Sequence, residues 1–163
     1  MTRIGLLSDT HGYFHPSVRT FFENCDEIWH AGDAGDHSVL DELGAMKPLR
    51  AVYGNIDGQD VRSSHPLYQS FLIEKLNVLM IHIGGYPKRY NPYALNLIRE
   101  HRPGLFISGH SHILKVIYDP EYDLLHINPG AAGKYGLHNK ITMVRFVVDN
   151  KKVQDLEIYE TEK

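Results

Sequence analysis

Short apolar runs that end in glycine and in side chains able to bind metals recur along this chain. The first run is Ile4-Gly5-Leu6-Leu7, and the turn Ser8-Asp9-Thr10-His11-Gly12 follows it directly. An apolar run of about four to eight residues, closed by a polar turn that contains glycine, is typical of a buried β-strand. Ligands of open α/β sheets bind at the carboxyl ends of the strands. The sequence therefore predicts that Asp9 and His11 lie at a ligand-binding edge.

The next two apolar runs end in the same way. One leads into Gly32-Asp33 and the other into Gly54-Asn55. The segments between these runs space their apolar residues as on one face of an α-helix. Strands that alternate with helices in this order are expected to be parallel neighbours joined by right-handed crossovers. We therefore expect the polar ends of these strands to lie side by side.

Two apolar runs in the second half of the chain carry histidine at their ends. His82 lies near the end of the run 77–83, which is predicted to form a hairpin with 70–74. The motif Gly109-His110-Ser111-His112 follows the run 105–108. Further hairpins are predicted at 116–127 and 141–159. The polar stretch 60–69 contains a proline and predicts a surface loop.

Composition is ordinary for a globular protein, and we expect residues 1–163 to form a single domain. The formal net charge of −3 gives no general positive field of the kind that attracts nucleic acid. Any phosphate group must therefore be bound locally. Cys25 is the only cysteine and falls on the apolar face of a predicted helix, which favours a core position in a reducing compartment. No apolar run is long enough to span a bilayer, so a cytoplasmic protein is expected.

The side chains at the strand ends form a mixed set of nitrogen and oxygen donors. Such a set suits Mn, Fe, Zn, Co or Ni, whereas Mg and Ca prefer oxygen donors alone. Seven protein ligands are too many for one catalytic ion, which must keep a coordination position open. They suit two ions that share a bridging carboxylate. The candidate ligands are Asp9, His11, Asp33, Asn55, His82, His110 and His112.

The order of these motifs resembles the calcineurin-like metallophosphoesterase superfamily. The chain carries Asp-x-His, Gly-Asp, Gly-Asn, His and Gly-His-x-His in that order, each after a predicted strand. Its Gly-Asn-x-Asp and Asn-Pro-Gly motifs are similar to those of the small bacterial and archaeal phosphodiesterases of the YfcE type. The resemblance covers essentially the whole chain. It implies an α/β fold in which helices flank a two-sheet β-sandwich.

The resemblance also implies a division of the ligands between two divalent ions. Asp9, His11 and His112 would bind one ion, with Asp33 as the bridge. The second ion would be bound by Asn55, His82 and His110, and the family pattern implies a catalytic role for Asn55 and His110 as well. The ions, manganese first with Ni, Fe, Zn or Co as alternatives, would lie about 3.5 to 4 Å apart. A hydroxide that bridges them would attack the phosphodiester in line.

Two positions depart from the pattern of many superfamily members. Ile56 stands where many of them have the histidine of Gly-Asn-His-Asp, to which leaving-group protonation or transition-state stabilisation is assigned. The small subfamily commonly lacks that histidine too. His82-Ile83-Gly84-Gly85 stands where relatives often have His-Gly-His. The second metal would therefore have one imidazole fewer beside it.

Three other functions compete with a phosphodiesterase. The retromer subunit that shares the implied fold is a non-catalytic protein scaffold, and the superfamily also contains phosphomonoesterases and nucleases. This chain has neither a basic stripe nor the extra length of a nuclease, which favours a small phosphodiester or a nucleotide-like substrate over polymeric nucleic acid. Membrane partners are not expected, and the oligomeric state, including a homo-oligomer, stays open.

Two basic residues near the motifs allow two interpretations. Lys88 and Arg89 follow the strand of His82 and either lie in a solvated loop or contact phosphate, so no substrate-binding residue is assigned. His30 and His126 fall within predicted strands and are expected to pack in the core. His138 falls in a polar segment and is expected to be solvated.

Overall fold

Strands and helices alternate through the first third of the chain, as the apolar pattern predicts. The structure is a computed structural model and describes residues 1–163. The helices are α1 (Ser17–Phe21), α2 (His37–Met46), α3 (Gln59–Arg62) and α4 (Pro92–His101). The strands are β1 (Thr2–Leu7), β2 (Glu27–His30), β3 (Leu49–Ala51), β4 (Tyr68–Ile73), β5 (Leu76–Ile81), β6 (Gly85–Tyr86), β7 (Arg89–Tyr90), β8 (Leu105–Ile107), β9 (Leu114–Asp119), β10 (Leu124–Pro129), β11 (Lys140–Asp149) and β12 (Lys152–Glu162).

Two five-stranded mixed sheets contain all the strands except a small hairpin of β6 and β7. The first sheet has the order β12-β11-β1-β2-β3, in which β1, β2 and β3 are parallel. The second has the order β4-β5-β8-β10-β9, in which β5, β8 and β10 are parallel. Three of the four edge strands, β12, β4 and β9, pair in antiparallel fashion through hairpins, whereas the edge strand β3 is parallel to β2. The parallel set predicted for the first half of the chain, β1, β2 and β3, is therefore present, and the second sheet contains a further parallel set.

Alternation of side chains along β1 shows how the layers form. Ile4 and Leu6 face the second sheet and pack in one apolar cluster with side chains such as Met80 and Ile107. Leu7 points to the opposite face and packs beneath α1 and α2. A third cluster joins the outer face of the second sheet to α4. Because strand side chains alternate with a period of two, each sheet is apolar on both faces.

This arrangement confirms the predicted α/β fold of two sheets flanked by helices. The two longer helices have side-chain caps: Asp36 accepts a hydrogen bond from the backbone amide of Ser38 at the start of α2, and Asn91 caps α4. None of the helices combines the length and apolarity needed to cross a membrane.

The predicted loop 60–69 is partly wrong. Residues 59–62 form the short helix α3, and β4 already begins at Tyr68. The helix is held by one buried apolar side chain, Val61, and by the guanidinium of Arg62, which donates to the carbonyl of Asp57. One buried side chain in a polar stretch gives no periodic signal. The segment around Lys88 is likewise ordered, as the hairpin of β6 and β7.

His126 packs in the second sheet, as expected for a histidine within a strand. Its ring is 1% exposed and stacks on Phe106, whose carbonyl accepts a hydrogen bond from Nδ1. Burial lowers the pKa of His126 from its ordinary 6.5 to about 4. The folded protein therefore holds this imidazole neutral through the range in which the unfolded chain protonates it.

We predict that His126 makes the protein less stable as the pH falls from 6.5 towards 4, because only the unfolded state binds the extra proton. Between pH 7 and pH 5 this group should lower the free energy of unfolding by about 2 kcal/mol. Urea unfolding at both pH values, with a chelator present, measures the loss. His126→Gln should show a smaller loss between the two pH values, and an equal loss would contradict the assignment.

Candidate metal centre

All seven predicted ligands lie in turns that directly follow parallel strands, at one end of the sandwich. Hydrogen bonds join the two sheets there. Nδ1 of His82, after β5, donates to the carbonyl of Ala31, after β2, at 2.8 Å, and the backbone amide of His110, after β8, donates to Oδ2 of Asp9, after β1, at 3.1 Å. Within the second sheet, the backbone amide of Gly109 donates to the carbonyl of His82. These contacts bring the turns of both sheets to one place.

Several of the turns hold non-glycine residues in the left-handed backbone region. This conformation is uncommon for residues with a Cβ, and it clusters at functional sites. It turns the chain sharply, so that each polar side chain points back across the strand ends. The residues concerned at this site are Asp9 (φ 55°), His11 (φ 46°), Asp33 (φ 57°), His110 (φ 71°) and His112 (φ 62°).

The first group of donors consists of Asp9, His11 and His112. One ligand atom from each lies within 4.8 Å of the others. Nε2 of His112 is 3.1 Å from Oδ1 of Asp9, and Nε2 of His11 is 3.8 Å from the same oxygen. Two imidazole nitrogens and one carboxylate oxygen can hold a divalent transition metal.

The second group consists of Asp33, His82 and His110, again with ligand atoms within 4.8 Å of one another. Nε2 of His82 lies 3.0 Å from Oδ2 of Asp33. Asn55 adjoins this group, since its Oδ1 is 3.1 Å from Nδ1 of His110. The amide oxygen of Asn55 is thus available as a further metal ligand at the rim of the site.

Asp33 connects the two groups through a single oxygen. Oδ2 lies 3.0 Å from Nε2 of His82 and 3.7 Å from Nε2 of His11, one histidine in each group. Its other oxygen, Oδ1, accepts a 3.0 Å hydrogen bond from the backbone amide of Ile56. That hydrogen bond fixes the carboxylate and leaves Oδ2 facing both groups.

The candidate metal-binding atoms that face the centre of the site are buried and have no hydrogen-bond partners. They are Oδ1 of Asp9, Nε2 of His11 and Nε2 of His82. The second polar atoms of Asp9 and His82 are satisfied, by the Ser8 hydroxyl and by the Ala31 carbonyl respectively. Unsatisfied buried polar atoms are costly and rare. Their convergence fits bound metal ions, which would use these lone pairs.

Electrostatics keep both carboxylates ionised. Burial would raise the pKa of Asp9, but the imidazoles of His11, His112 and His82 around it outweigh this effect and hold that pKa well below its ordinary value. Burial likewise opposes ionisation of Asp33, and the neighbouring His82 again lowers the carboxyl pKa. Ionised carboxylates are the form that binds cations.

Buried polar side chains outside the donor set hold the turns in place. The carboxylate of Asp57 accepts hydrogen bonds from the backbone amides of Ala34, Gly35 and Gly54, which joins the Asp33 and Asn55 turns. Asn128 donates to the carbonyl of Gly109 in the Gly-His-Ser-His turn. The Asn-Pro-Gly motif thus supports the site from beneath.

Glycines allow the donors to approach the backbone closely. A Cβ on Gly54 would lie 2.0 Å from Oδ1 of Asp33, and a Cβ on Gly32 would lie 2.6 Å from Nδ1 of His82. Both distances are far below any real contact. The glycine before each of Asp33 and Asn55 is therefore required by packing around the donors.

His138 lies beside the site, contrary to the prediction that its polar segment leaves it solvated. Nε2 of His138 is 2.7 Å from the carbonyl of Gly133 and Nδ1 is 3.2 Å from Nδ1 of His112. Because the carbonyl can only accept, Nε2 of His138 carries a proton and Nδ1 is left to accept one from His112. Nε2 of His112 then keeps its lone pair, as a metal ligand must. Tyr135, in the same loop, packs its ring 4.9 Å from that of His11.

A domain model of the calcineurin-like phosphoesterase superfamily matches residues 2–151. The chain belongs to this superfamily. A relative named as a probable metallophosphoesterase, from Methanothermobacter thermautotrophicus, is 32% identical over 163 residues, which cover 97% of this chain and 92% of the relative. The family resemblance inferred from the motifs is confirmed. Membership supports a phosphoesterase, and the two donor groups suit divalent metals.

Solved structures agree with the superfamily fold. An archaeal phosphodiesterase is 24% identical with a TM-score of 0.74, covering 96% of this chain and 99% of its own. Vps29 from Chaetomium thermophilum is 15% identical with a TM-score of 0.75, covering 98% of this chain and 95% of its own. At these identities the likeness establishes the fold alone.

We predict that His138→Leu weakens metal binding about tenfold or more, because it removes the acceptor that orients His112. His138→Asn, whose amide oxygen can replace Nδ1 as the acceptor, should keep most of the affinity. Competition for Mn or Zn against a chromogenic chelator measures this without relying on catalysis. Equal affinities of the two variants would contradict a positioning role.

Proposed function

We propose that this protein hydrolyses phosphodiesters with two divalent metal ions. The observation that carries the proposal is the position of Asp33 Oδ2 between two donor groups, at 3.0 Å from His82 and 3.7 Å from His11. One oxygen shared in this way suits a bridge between two ions. The mixed imidazole and carboxylate donors suit Mn first, and Ni, Fe, Zn or Co as well.

Two such ions would activate a water molecule and neutralise charge on the phosphoryl oxygens. The side chains that hold them are Asp9, His11 and His112 on one side, and Asn55, His82 and His110 on the other, with Asp33 between. Asn55 is exposed and its Oδ1 faces His110, so its amide nitrogen is free to donate to a phosphoryl oxygen. No protein nucleophile is needed, and burial raises the pKa of the only thiol, Cys25, to about 11.

Two clefts beside the second donor group favour a diester over a monoester. One has a volume of about 350 Å³ and is bordered by His110. The other, of about 300 Å³, is bordered by Asn55 and His82, and Ile83 and Asn91 line both clefts. A phosphodiester has two alcohol arms, and each cleft can take one. A small or nucleotide-like diester in the cytoplasm is the substrate we propose.

A protein scaffold is the second candidate, and one surface feature favours it. Edge strand β9 exposes Val116, Ile117 and Tyr118, which are 41%, 44% and 56% exposed. Adjacent apolar side chains on an unpaired edge are typical of interaction surfaces. The buried donors without partners argue for a working metal site instead. Metal content of the purified protein distinguishes the two functions, because a scaffold has no need of two equivalents.

We predict that Asp33→Asn lowers both metal content and turnover. The amide can still accept the hydrogen bond from Ile56, but it would replace the shared anionic oxygen, so both ions lose a ligand. Elemental analysis and hydrolysis of bis(p-nitrophenyl) phosphate, with the protein reconstituted in Mn, Ni, Zn or Mg, measure the two effects. Hydrolysis of p-nitrophenyl phosphate under the same conditions compares a monoester.

Asp36→Asn is the matched control for this variant, because Asp36 is exposed and caps α2, a role that asparagine also fills. It should keep two metal equivalents and the unmodified rate. An Asp33→Asn protein with two metals and a near-normal rate would show that the bridging assignment is wrong.

We predict a steep dependence of rate on the pKa of the leaving alcohol. Ile56 is 46% exposed beside Asp33 and cannot donate a proton to a departing alkoxide. General acid catalysis typically contributes about 10² to 10⁴ in rate, so aryl diesters should react much faster than alkyl diesters. Ile56→His should flatten the dependence across a series of substituted aryl esters. A shallow dependence in the unmodified protein, unchanged in the variant, would contradict this account of Ile56.

A further inference from the structure

The cleft bordered by His110, here called the His110 cleft, holds two cations and no acidic side chain. The cations are Arg89 and Lys115. No carboxylate lies within ion-pair distance of either cation, whereas surface cations such as Lys140 and Arg145 are paired with glutamates. In a protein of net charge −3, two uncompensated cations in one cleft create a local field for anions.

Neighbouring side chains place both cations on one wall. Nζ of Lys115 lies 3.7 Å from the centre of the Tyr86 ring. Tyr86 is the register partner of Arg89 in the hairpin of β6 and β7. A lysine held over an aromatic ring loses part of its freedom, and its ammonium group can still donate to an anion.

The other cleft, bordered by Asn55 and His82, contains a single cation, and that cation is already engaged by the protein. Its arginine, Arg62, donates to the backbone carbonyls of Asp57 and Asn55 and lies over the ring of Tyr53. The guanidinium is thus used to support the Asn55 turn. The two arms of a substrate therefore meet different chemistry, with free positive charge in the His110 cleft alone.

The wall of the His110 cleft also contains a buried hydrogen-bond acceptor. His126 is 1% exposed and contributes to the lining. Its Nδ1 donates to the carbonyl of Phe106, so Nε2 carries the lone pair and has no partner in the protein. Because burial lowers the pKa of His126 to about 4, Nε2 stays an acceptor at neutral pH. It suits a hydroxyl or amine donor of the ligand.

We infer that the His110 cleft binds a diester arm that carries a second anionic group, such as the further phosphate of a nucleotide. Arg89 and Lys115 bind that anion, and Nε2 of His126 accepts a hydrogen bond from a hydroxyl or amine of the same arm. The inference rests on the proposed phosphodiesterase and specifies its substrate: an alcohol arm with its own phosphate, in contrast to an uncharged aryl or nucleoside arm.

The test compares two thymidine 5′-(p-nitrophenyl phosphate) esters, one with a free 3′-hydroxyl and one with a 3′-phosphate. Charge-assisted hydrogen bonds to two cations should lower KM for the 3′-phosphate ester about tenfold or more. In the double variant Arg89→Gln/Lys115→Gln this ratio should approach one. Adenosine 3′,5′-bisphosphate should inhibit the unmodified protein more strongly than adenosine 5′-monophosphate, and the double variant should lose that preference.

Lys134→Gln is the matched control, because Nζ of Lys134 also lies over a tyrosine ring, that of Tyr13, but outside the His110 cleft. It should keep the KM ratio. If neither bis(p-nitrophenyl) phosphate nor the two thymidine esters are hydrolysed, the proposed phosphodiesterase function is wrong. If they are hydrolysed with equal KM, or if the double variant keeps the tenfold ratio, the phosphodiesterase stands and the assignment of the cleft is overturned.

Discussion

The hydrogen bond from Nδ1 of His82 to the carbonyl of Ala31 ties the two sheets together at the end where the candidate ligands of both sheets lie. It fixes the tautomer of His82, so that Nε2 faces Asp33. It also gives a hydrogen-bond partner to the carbonyl of Ala31, which lies just beyond the last residue of β2 and has no partner strand there. The two parallel sets of strands supply the candidate ligands from separate halves of the chain, and this contact holds them together with the hydrogen bond from the His110 amide to Asp9.

Much of the fold and of the donor set could be predicted from the sequence, because both depend on local patterns. The apolar runs before Asp9, Asp33 and His82 have the length of buried strands, and strand ends collect in a predictable place. Asn128 and His138 illustrate what could not be predicted. Their roles depend on contacts with turns from other strands, and a histidine in a polar loop looks the same in the sequence whether or not it meets a ligand. The helix α3 was missed because a single buried valine holds it.

The left-handed backbone at five of the donor positions bears on how the site forms. Such conformations persist only where the surrounding structure determines them. Here the turns are held by the carboxylate of Asp57, which accepts hydrogen bonds from three backbone amides, and by the side-chain amide of Asn128, which donates to the carbonyl of Gly109. The candidate ligands are thus held in place by the fold itself, so the binding of a metal ion here would cost little conformational entropy.

The glycines packed against Asp33 and His82 have a consequence for how such a chain can diverge. A side chain at Gly54 or Gly32 would displace a donor without altering any donor residue itself. A lineage that keeps the fold for another purpose can therefore lose its chemistry through a single change at a position with no reactive group.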